Sequence, residues 1–233
     1  KLLEMAASRK IKRLILNVPP RSLKSIIVSV LFPDWVWARN SSEQFLTLSH
    51  DRSLSVRDAR KARMVIQSPW YERLFPHVII VSDQNQKMYY ETDKGGHRNA
   101  QSFKQGVTGR GGSYILIDDP HDARKIIASD NDRETAVSTY EEAIESRLNR
   151  PAEDVIILIM QRLHDMDLTG WVLKYRKHEN WHHFCVPLEY EADHPFKYPE
   201  DPRTVEGECL LEARWPAKIR DGYKHKPLVW NGQ

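Results

Sequence analysis

The sequence predicts an α/β layered domain: a central, mostly parallel sheet with helices on its faces. Two observations carry that expectation. Four short runs, at residues 13–18, 45–50, 114–118 and 155–160, are β-rich and almost wholly apolar, as strands are when both faces of a parallel sheet are covered. Helical patterns lie between them, and strands that alternate with helices build layered α/β domains.

In chain order, residues 13–18 read as the first buried strand. Residues 24–38 follow as a helix that is apolar on most sides, and Pro33 is expected to kink it. The second strand, 45–50, leads into a helix over 52–66 with Ala59, Ala62 and Ile66 at helical spacing. Residues 87–91 and 100–103, joined through Gly95-Gly96, read as a hairpin inserted before the third buried strand, 114–118. A long helix is expected over 129–149. Its apolar stripe is Ala136, Tyr140, Ile144 and Leu148, and Ser129 and Asp132 supply the start signal. The strand at 155–160 and a helix over 166–177 complete the alternation. After about Pro187 the pattern breaks, and 189–207 holds three prolines and many charges without period. The chain thus divides into a domain over 1–187 and an irregular linker or extension over 188–233.

Composition bounds the function. The chain has 233 residues, with 35 Lys+Arg against 32 Asp+Glu and a net charge of +3. That length suits one large domain, alone or with an appendage. A hydrophobic fraction of 40% with 29% charge argues against disorder. No stretch approaches the roughly 18 apolar residues of a membrane-spanning helix. Cys185 and Cys209 make no disulfide framework, so a reducing cytosol is expected. No signal peptide is recognised, and the start at Lys1 reads as a trimmed piece.

The first strand runs into Val18-Pro19-Pro20-Arg21-Ser22-Leu23-Lys24-Ser25, and a helix follows. A strand, a tight loop and a helix start gather backbone N–H groups and a positive helix end around one point, which suits phosphate. Lys24 supplies a point charge, Ser25 a hydroxyl for Mg²⁺, and Arg21 a bidentate contact to the γ-phosphate. Of the pattern G-x-x-x-x-G-K-[ST] only Lys24-Ser25 survives; Val18 and Leu23 hold the glycine positions. On pattern alone, a proline-stiffened turn with a capping serine remains an alternative. The third buried strand ends in Asp118-Asp119. Asp118 can serve Mg²⁺ through water, and Asp119 can orient or deprotonate an attacking water. The alternative is a strand stop before an Asp119-Pro120 turn. Together the two motifs favour an NTPase. They are expected side by side on neighbouring strands, with room for a magnesium triphosphate between them.

The combination resembles the ATPase domain of the large terminase subunit, the genome-packaging motor of tailed double-stranded DNA phages, prophages and gene-transfer agents. Four segments carry the resemblance: PPRSLKS, VTGRGGSYILIDDP, ESRLNRP and IILIMQRLHDMDLTGWVL. It is strong over about 11–175 and weak elsewhere. It implies an ASCE-type P-loop NTPase with ATP and Mg²⁺ as cofactors. Residues Pro20, Arg21, Ser22, Leu23, Lys24 and Ser25 would bind the nucleotide, and Ser25 and Asp118 would serve the metal. Arg21 would sense the γ-phosphate. Asp119 falls where many relatives have a catalytic Glu. Arg110 falls where the family carries an arginine that reaches a neighbouring subunit's ATP. Gln161 and Arg162 would report phosphate loss to DNA-gripping elements.

The implied partners are double-stranded DNA, a homo-oligomeric ring, a small terminase subunit and a portal protein, in the host cell's cytoplasm and away from any membrane. Leu23 in place of glycine limits close phosphate approach, and only about ten residues precede the first strand where an adenine-contacting segment belongs. The family's RNase H-like nuclease domain would begin near the end of this chain, and 208–233 resembles the stretch leading into it. No nuclease activity is assigned here. The competing readings are a non-hydrolysing, nucleotide-gated assembly module and a helicase-like motor on another substrate.

Three further signals have plain structural readings. His178, His182, His183 and Cys185 lack a second ligand pair for zinc. The basic helix residues Arg52, Arg57, Arg60, Lys61 and Arg63 read as a solvated face, with DNA or subunit contact as the alternative. The seven tryptophans, Trp230 among them, are scattered and read as core and interface packing.

Overall fold

One sheet organises the computed structural model, which describes residues 1–104, 107, 109–127 and 129–225. Among these its strands are β1 (Arg13–Asn17), β2 (Gln44–Ser49), β3 (Ile80–Asn85), β4 (Tyr89–Thr92), β5 (His97–Ser102), β6 (Tyr114–Asp118), β7 (Val155–Met160) and β8 (His182–Cys185). Their spatial order is β3-β4-β5-β2-β6-β7-β1-β8. The β3–β4 and β4–β5 pairs are antiparallel and every other pair is parallel. Thr108 of the glycine-rich motif, Trp230 and residues 226–233 lie outside the described residues.

The four apolar runs are the central strands because alternate residues bury on opposite faces. Leu14, Leu16, Val155, Ile157 and Ile159 enter one core. Ile15, Ile156, Leu158 and Met160 enter the other. The first core is covered by α1 (Leu2–Ala7), α2 (Phe32–Trp37), α3 (Arg52–Ile66) and α4 (Pro69–Leu74). The second is covered by α5 (Asp130–Thr139) and α6 (Leu168–Tyr175).

Several expectations need correction. The expected inserted hairpin is the antiparallel β4–β5 pair, but β5 also pairs in parallel with β2, so it continues the sheet, and β3 adds an outer strand. The helix after the first loop is not simply kinked at Pro33. It opens into a π-helical stretch, Ile26–Leu31, before α2 begins with Pro33 in its first turn. Proline has no N–H for the carbonyl four residues back. That carbonyl, on Ser29, accepts instead from Arg98 Nη2 at 2.5 Å, and Arg98 is fully buried.

The long helix over 129–149 is also interrupted. After α5 comes a π-helical turn, Tyr140–Ile144, then a 3₁₀ turn, Glu145–Arg147. A strict four-residue stripe overshoots the α-helical turn by about 40° per step. The widened turn takes up that drift, so Ala136, Tyr140, Ile144 and Leu148 all stay buried.

The extension after β8 folds back on the domain. Leu210 N donates to Leu188 O at 2.7 Å. The Arg203 guanidinium donates to the carbonyls of Pro187, Leu188 and Glu208 at 3.0–3.2 Å and pairs with Asp201 at 2.8 Å. On α7 (Ala217–Lys224), Arg220 pairs with Glu189 at 2.8 Å and with Glu212. No helix among the described residues is long and apolar enough to cross a membrane.

Candidate phosphate-binding site

The two motifs meet, but not on neighbouring strands. β7 lies between β1 and β6 and pairs with both. The separation is bridged by the loop after β1, which reaches across the strand tips. Ser25 Oγ donates to Asp118 Oδ1 at 3.0 Å, and Lys24 Nζ pairs with Asp119 Oδ1 at 3.0 Å. Ser29, one turn further along, donates to Asp118 Oδ2 at 2.6 Å.

At the base of the loop, Asn17 ends β1 in a fully paired state. Its amide donates to Met160 O and Thr169 Oγ1, both at 3.1 Å, and its oxygen meets His183 Nε2 at 2.7 Å. One buried side chain thereby ties the ends of β1, β7 and β8 to α6. The loop itself is held in an unusual backbone. Arg21 and Leu23 both have φ +64°, in the left-handed region, where a side chain costs roughly 1–2 kcal/mol. Leu23 thus adopts, as a leucine, the kind of conformation that glycine reaches freely. Ser22 Oγ donates to Pro19 O at 2.7 Å and closes the turn. The N–H groups of Arg21, Ser22 and Leu23 find no acceptor among the described residues, as suits a loop that offers donors to an anion.

Asp119 is strained too, at φ +46°. Its carbonyl accepts from His50 N at 3.2 Å and His50 Nδ1 at 2.9 Å, and its own N–H donates to Ile159 O at 2.8 Å. These bonds fix the side chain in front of Lys24. Asp118 behaves differently. Burial, reinforced by the adjacent Asp119 charge, pushes its carboxyl up to about 6, against the hydrogen bonds from Ser29 and Ser25 and the charge of Lys24.

A cavity of about 700 Å³ opens over these groups. Pro20, Arg21, Leu23, Lys24, Ser25, Asp119 and Gln161 line it, and Ser22 lines the adjoining cavity instead. Arg162, beside Gln161, turns away and pairs with the buried Asp167 at 3.0 Å. Asp167 caps α6 by accepting from Gly170 N at 2.8 Å. Arg110 stands at the opposite end of β6 from Asp118. It pairs with Glu91 at 2.8 Å and lies over the Tyr89 ring at 4.2 Å. It cannot reach its own chain's cavity from there.

The cavity also contains residues that sequence reasoning did not place in it: His50, Arg57, Lys61, His121 and Arg214. Arg57 and Lys61 sit four apart on α3, so they share one face. That face was read as solvated; at these two positions it borders the cavity. Burial pushes His121 down to about 4, and its Nε2 accepts from Leu168 N at 2.9 Å, so the ring is neutral with the proton on Nδ1. Arg214 carried no sequence signal.

An added strand between the phosphate-loop strand and the acidic strand defines an ASCE-type P-loop NTPase fold. Over 98% of its length the chain is similar to the HK97 bacteriophage large terminase, with a TM-score of 0.58 and 14% identity. It covers 48% of that protein, about half its length. A Thermus phage P74-26 large terminase ATPase domain is similar over 65% of this chain and 61% of that one, at a TM-score of 0.46 and 13% identity. The chain therefore shares its fold with part of the HK97 large terminase. No protein-family model and no curated protein matches it.

Proposed function

We propose that this chain hydrolyses ATP, with Mg²⁺, to drive double-stranded viral DNA into a procapsid. It would act in the host cytoplasm, in a ring of like subunits, with a small terminase subunit and a portal protein. The observation that carries the reading is the convergence of Lys24-Ser25 with Asp118-Asp119 across an intervening strand. The large-terminase fold supports the choice of DNA packaging over other ATP-driven work.

The residues fit a magnesium ion. Ser25 Oγ and Asp118 Oδ1 are hard oxygen donors 3.0 Å apart, the ligand type this cation takes. Its contribution, when bound, is to neutralise charge on the phosphate oxygens. The remaining chemistry belongs to the chain. Lys24 is paired with Asp119. Phosphate oxygens would replace the carboxylate as the counter-charge of Lys24, and Asp119 would then be free to accept a proton from, or orient, a water. Arg21 would hold the terminal phosphate, with Gln161 at the neighbouring strand tip.

The nucleotide base has an adjoining apolar cavity of about 540 Å³, lined in part by Leu2, Leu3, Ile27, Phe184 and Tyr198. The short α1 therefore supplies apolar contacts on the side where the sequence offered only about ten residues before β1. Arg110, remote from its own site, would serve a neighbouring subunit's nucleotide.

The test is steady-state ATP turnover by the full-length protein with DNA. Lys24→Ala and Asp119→Asn should each lower turnover by about 10²–10⁴ with unchanged thermal stability. Wild-type turnover in both would end the hydrolysis reading. Mixing Arg110→Ala with Asp119→Asn subunits should restore part of the activity if Arg110 acts across subunits.

A further inference from the structure

The irregular extension carries one cation into the nucleotide cavity. Arg214 lines the cavity that Lys24, Ser25 and Asp119 line. It lies 27 residues beyond the last residue of the 1–187 unit. Its side chain makes no hydrogen bond or ion pair among the described residues. Other arginines of the extension are committed. Arg203 is spent on three carbonyls and Asp201, and Arg220 on Glu189, Glu212 and Trp215 O. Those two networks hold the segment in place, so Arg214 has no structural duty to perform.

The charge in the cavity is also unbalanced. Arg21, Lys24, Arg57, Lys61 and Arg214 line it against the single carboxylate of Asp119. Arg57 is already paired with Asp58 at 2.9 Å and Lys24 with Asp119. Arg21, Lys61 and Arg214 remain without a counter-charge among the described residues. Arg21, Lys61 and Arg214 are solvent-exposed, and a concavity lined by one sign of charge raises the local concentration of an anion such as a triphosphate. Just before Arg214, Leu211 lines both this cavity and the apolar one beside it. The segment therefore spans the line along which a nucleotide would lie.

We propose that Arg214, which lines the same cavity as Arg21, is a phosphate-contacting residue of the same chain, delivered by the folded extension. The proposal rests on the nucleotide reading above and adds to it a residue outside the domain that carries the motifs. Arg21 and Arg214 would both contact the phosphates. Nucleotide would then bind more tightly when the extension is docked, and docking would be firmer when nucleotide is bound, since such coupling is reciprocal.

The experiment measures direct binding of ATP, tripolyphosphate and adenosine to the full chain, by calorimetry, for wild type, Arg214→Ala, Arg214→Lys, Lys218→Ala and Lys24→Ala. Lys218 is an exposed cation on α7 and serves as the charge control. Arg214→Ala should weaken ATP and tripolyphosphate about tenfold, the net worth of one charge-assisted contact. Arg214→Lys should recover part of the loss, Lys218→Ala should match wild type, and adenosine should bind all variants alike. Limited proteolysis without nucleotide should leave residues 187–225 as resistant in Arg214→Ala as in wild type.

Unchanged binding in Arg214→Ala, alongside a loss in Lys24→Ala, overturns the proposal and leaves the nucleotide reading standing. An equal loss for adenosine and tripolyphosphate, or proteolytic release of the extension in both Arg214 variants, makes the residue structural and also overturns it. Absence of binding in the wild type overturns both readings together.

Discussion

The two ends of β6 treat left-handed backbone in opposite ways. Before the strand, Gly109 takes φ +82°, and Gly111 and Gly112 let other backbones approach closely. A Cβ on Gly111 would lie 2.1 Å from Arg147 O, and one on Gly112 would lie 2.8 Å from Gln44 O. Beyond the strand, and on the loop facing it, the left-handed residues are Arg21, Leu23 and Asp119. No glycine relieves them, and each bears a side chain directed toward function or solvent. Glycine serves where the fold must close tightly. Side chains endure the strain around the cavity, and stored backbone strain clusters at functional sites.

Substitutions can break this contrast. The largest effect is expected from Gly111→Ala, because the new methyl meets backbone rather than a movable side chain. A loss of about 3 kcal/mol or more, and a fall in Tm of about 6–12 °C, should follow in calorimetry. A smaller effect, of opposite sign, is expected from Asp118→Asn. The folded-state carboxyl titrates near 6, above its unfolded value of about 3.9. The folded state therefore loses stability as pH rises through that window, and the loss is complete above it. Removing the charge should stabilise the nucleotide-free protein by on the order of 2 kcal/mol at pH 7.5. The gain should shrink toward zero below about pH 4, as chemical denaturation across pH would show.

The smallest effect sharpens the comparison at a single residue. Leu23→Gly removes the Cβ from a residue at φ +64°. It should raise stability by about 0.5–1 kcal/mol, after the added freedom of the unfolded chain is allowed for. Leu23→Ala keeps the Cβ and should change stability little. A destabilised Leu23→Gly would mean that the leucine side chain, 65% exposed here, has a partner in solution.

What could be read from the chain follows from how each feature is encoded. The strands β1, β2, β6 and β7 were legible within a residue or so because burial on both faces demands continuous apolar runs. β3 was not, since Ile80-Val81-Ser82 leads into polar residues and the strand sits at the sheet's edge. The phosphate loop and the acidic strand end were legible as motifs. Their relation in space was not, because strand order depends on which helices cover which face, and the intervening β7 has no mark of its place. Arg98 fell in the connection between the two expected hairpin strands, yet it lies on β5 and is fully buried. Arg57 and Lys61 had a readable spacing but were assigned to solvent. Arg214 belongs to a stretch without period, where only the fold-back of the chain brings it to the cavity.

Ser29 gives the molecule an unexpected lever. Its carbonyl is free for Arg98 because residue 33 is a proline, and its hydroxyl holds the outer oxygen of Asp118. A ring that lacks one amide hydrogen is thus two bonds' worth of serine away from the Asp118 carboxylate. Drift at position 33 or 98 would be felt at Asp118 even though neither side chain lines the cavity above it.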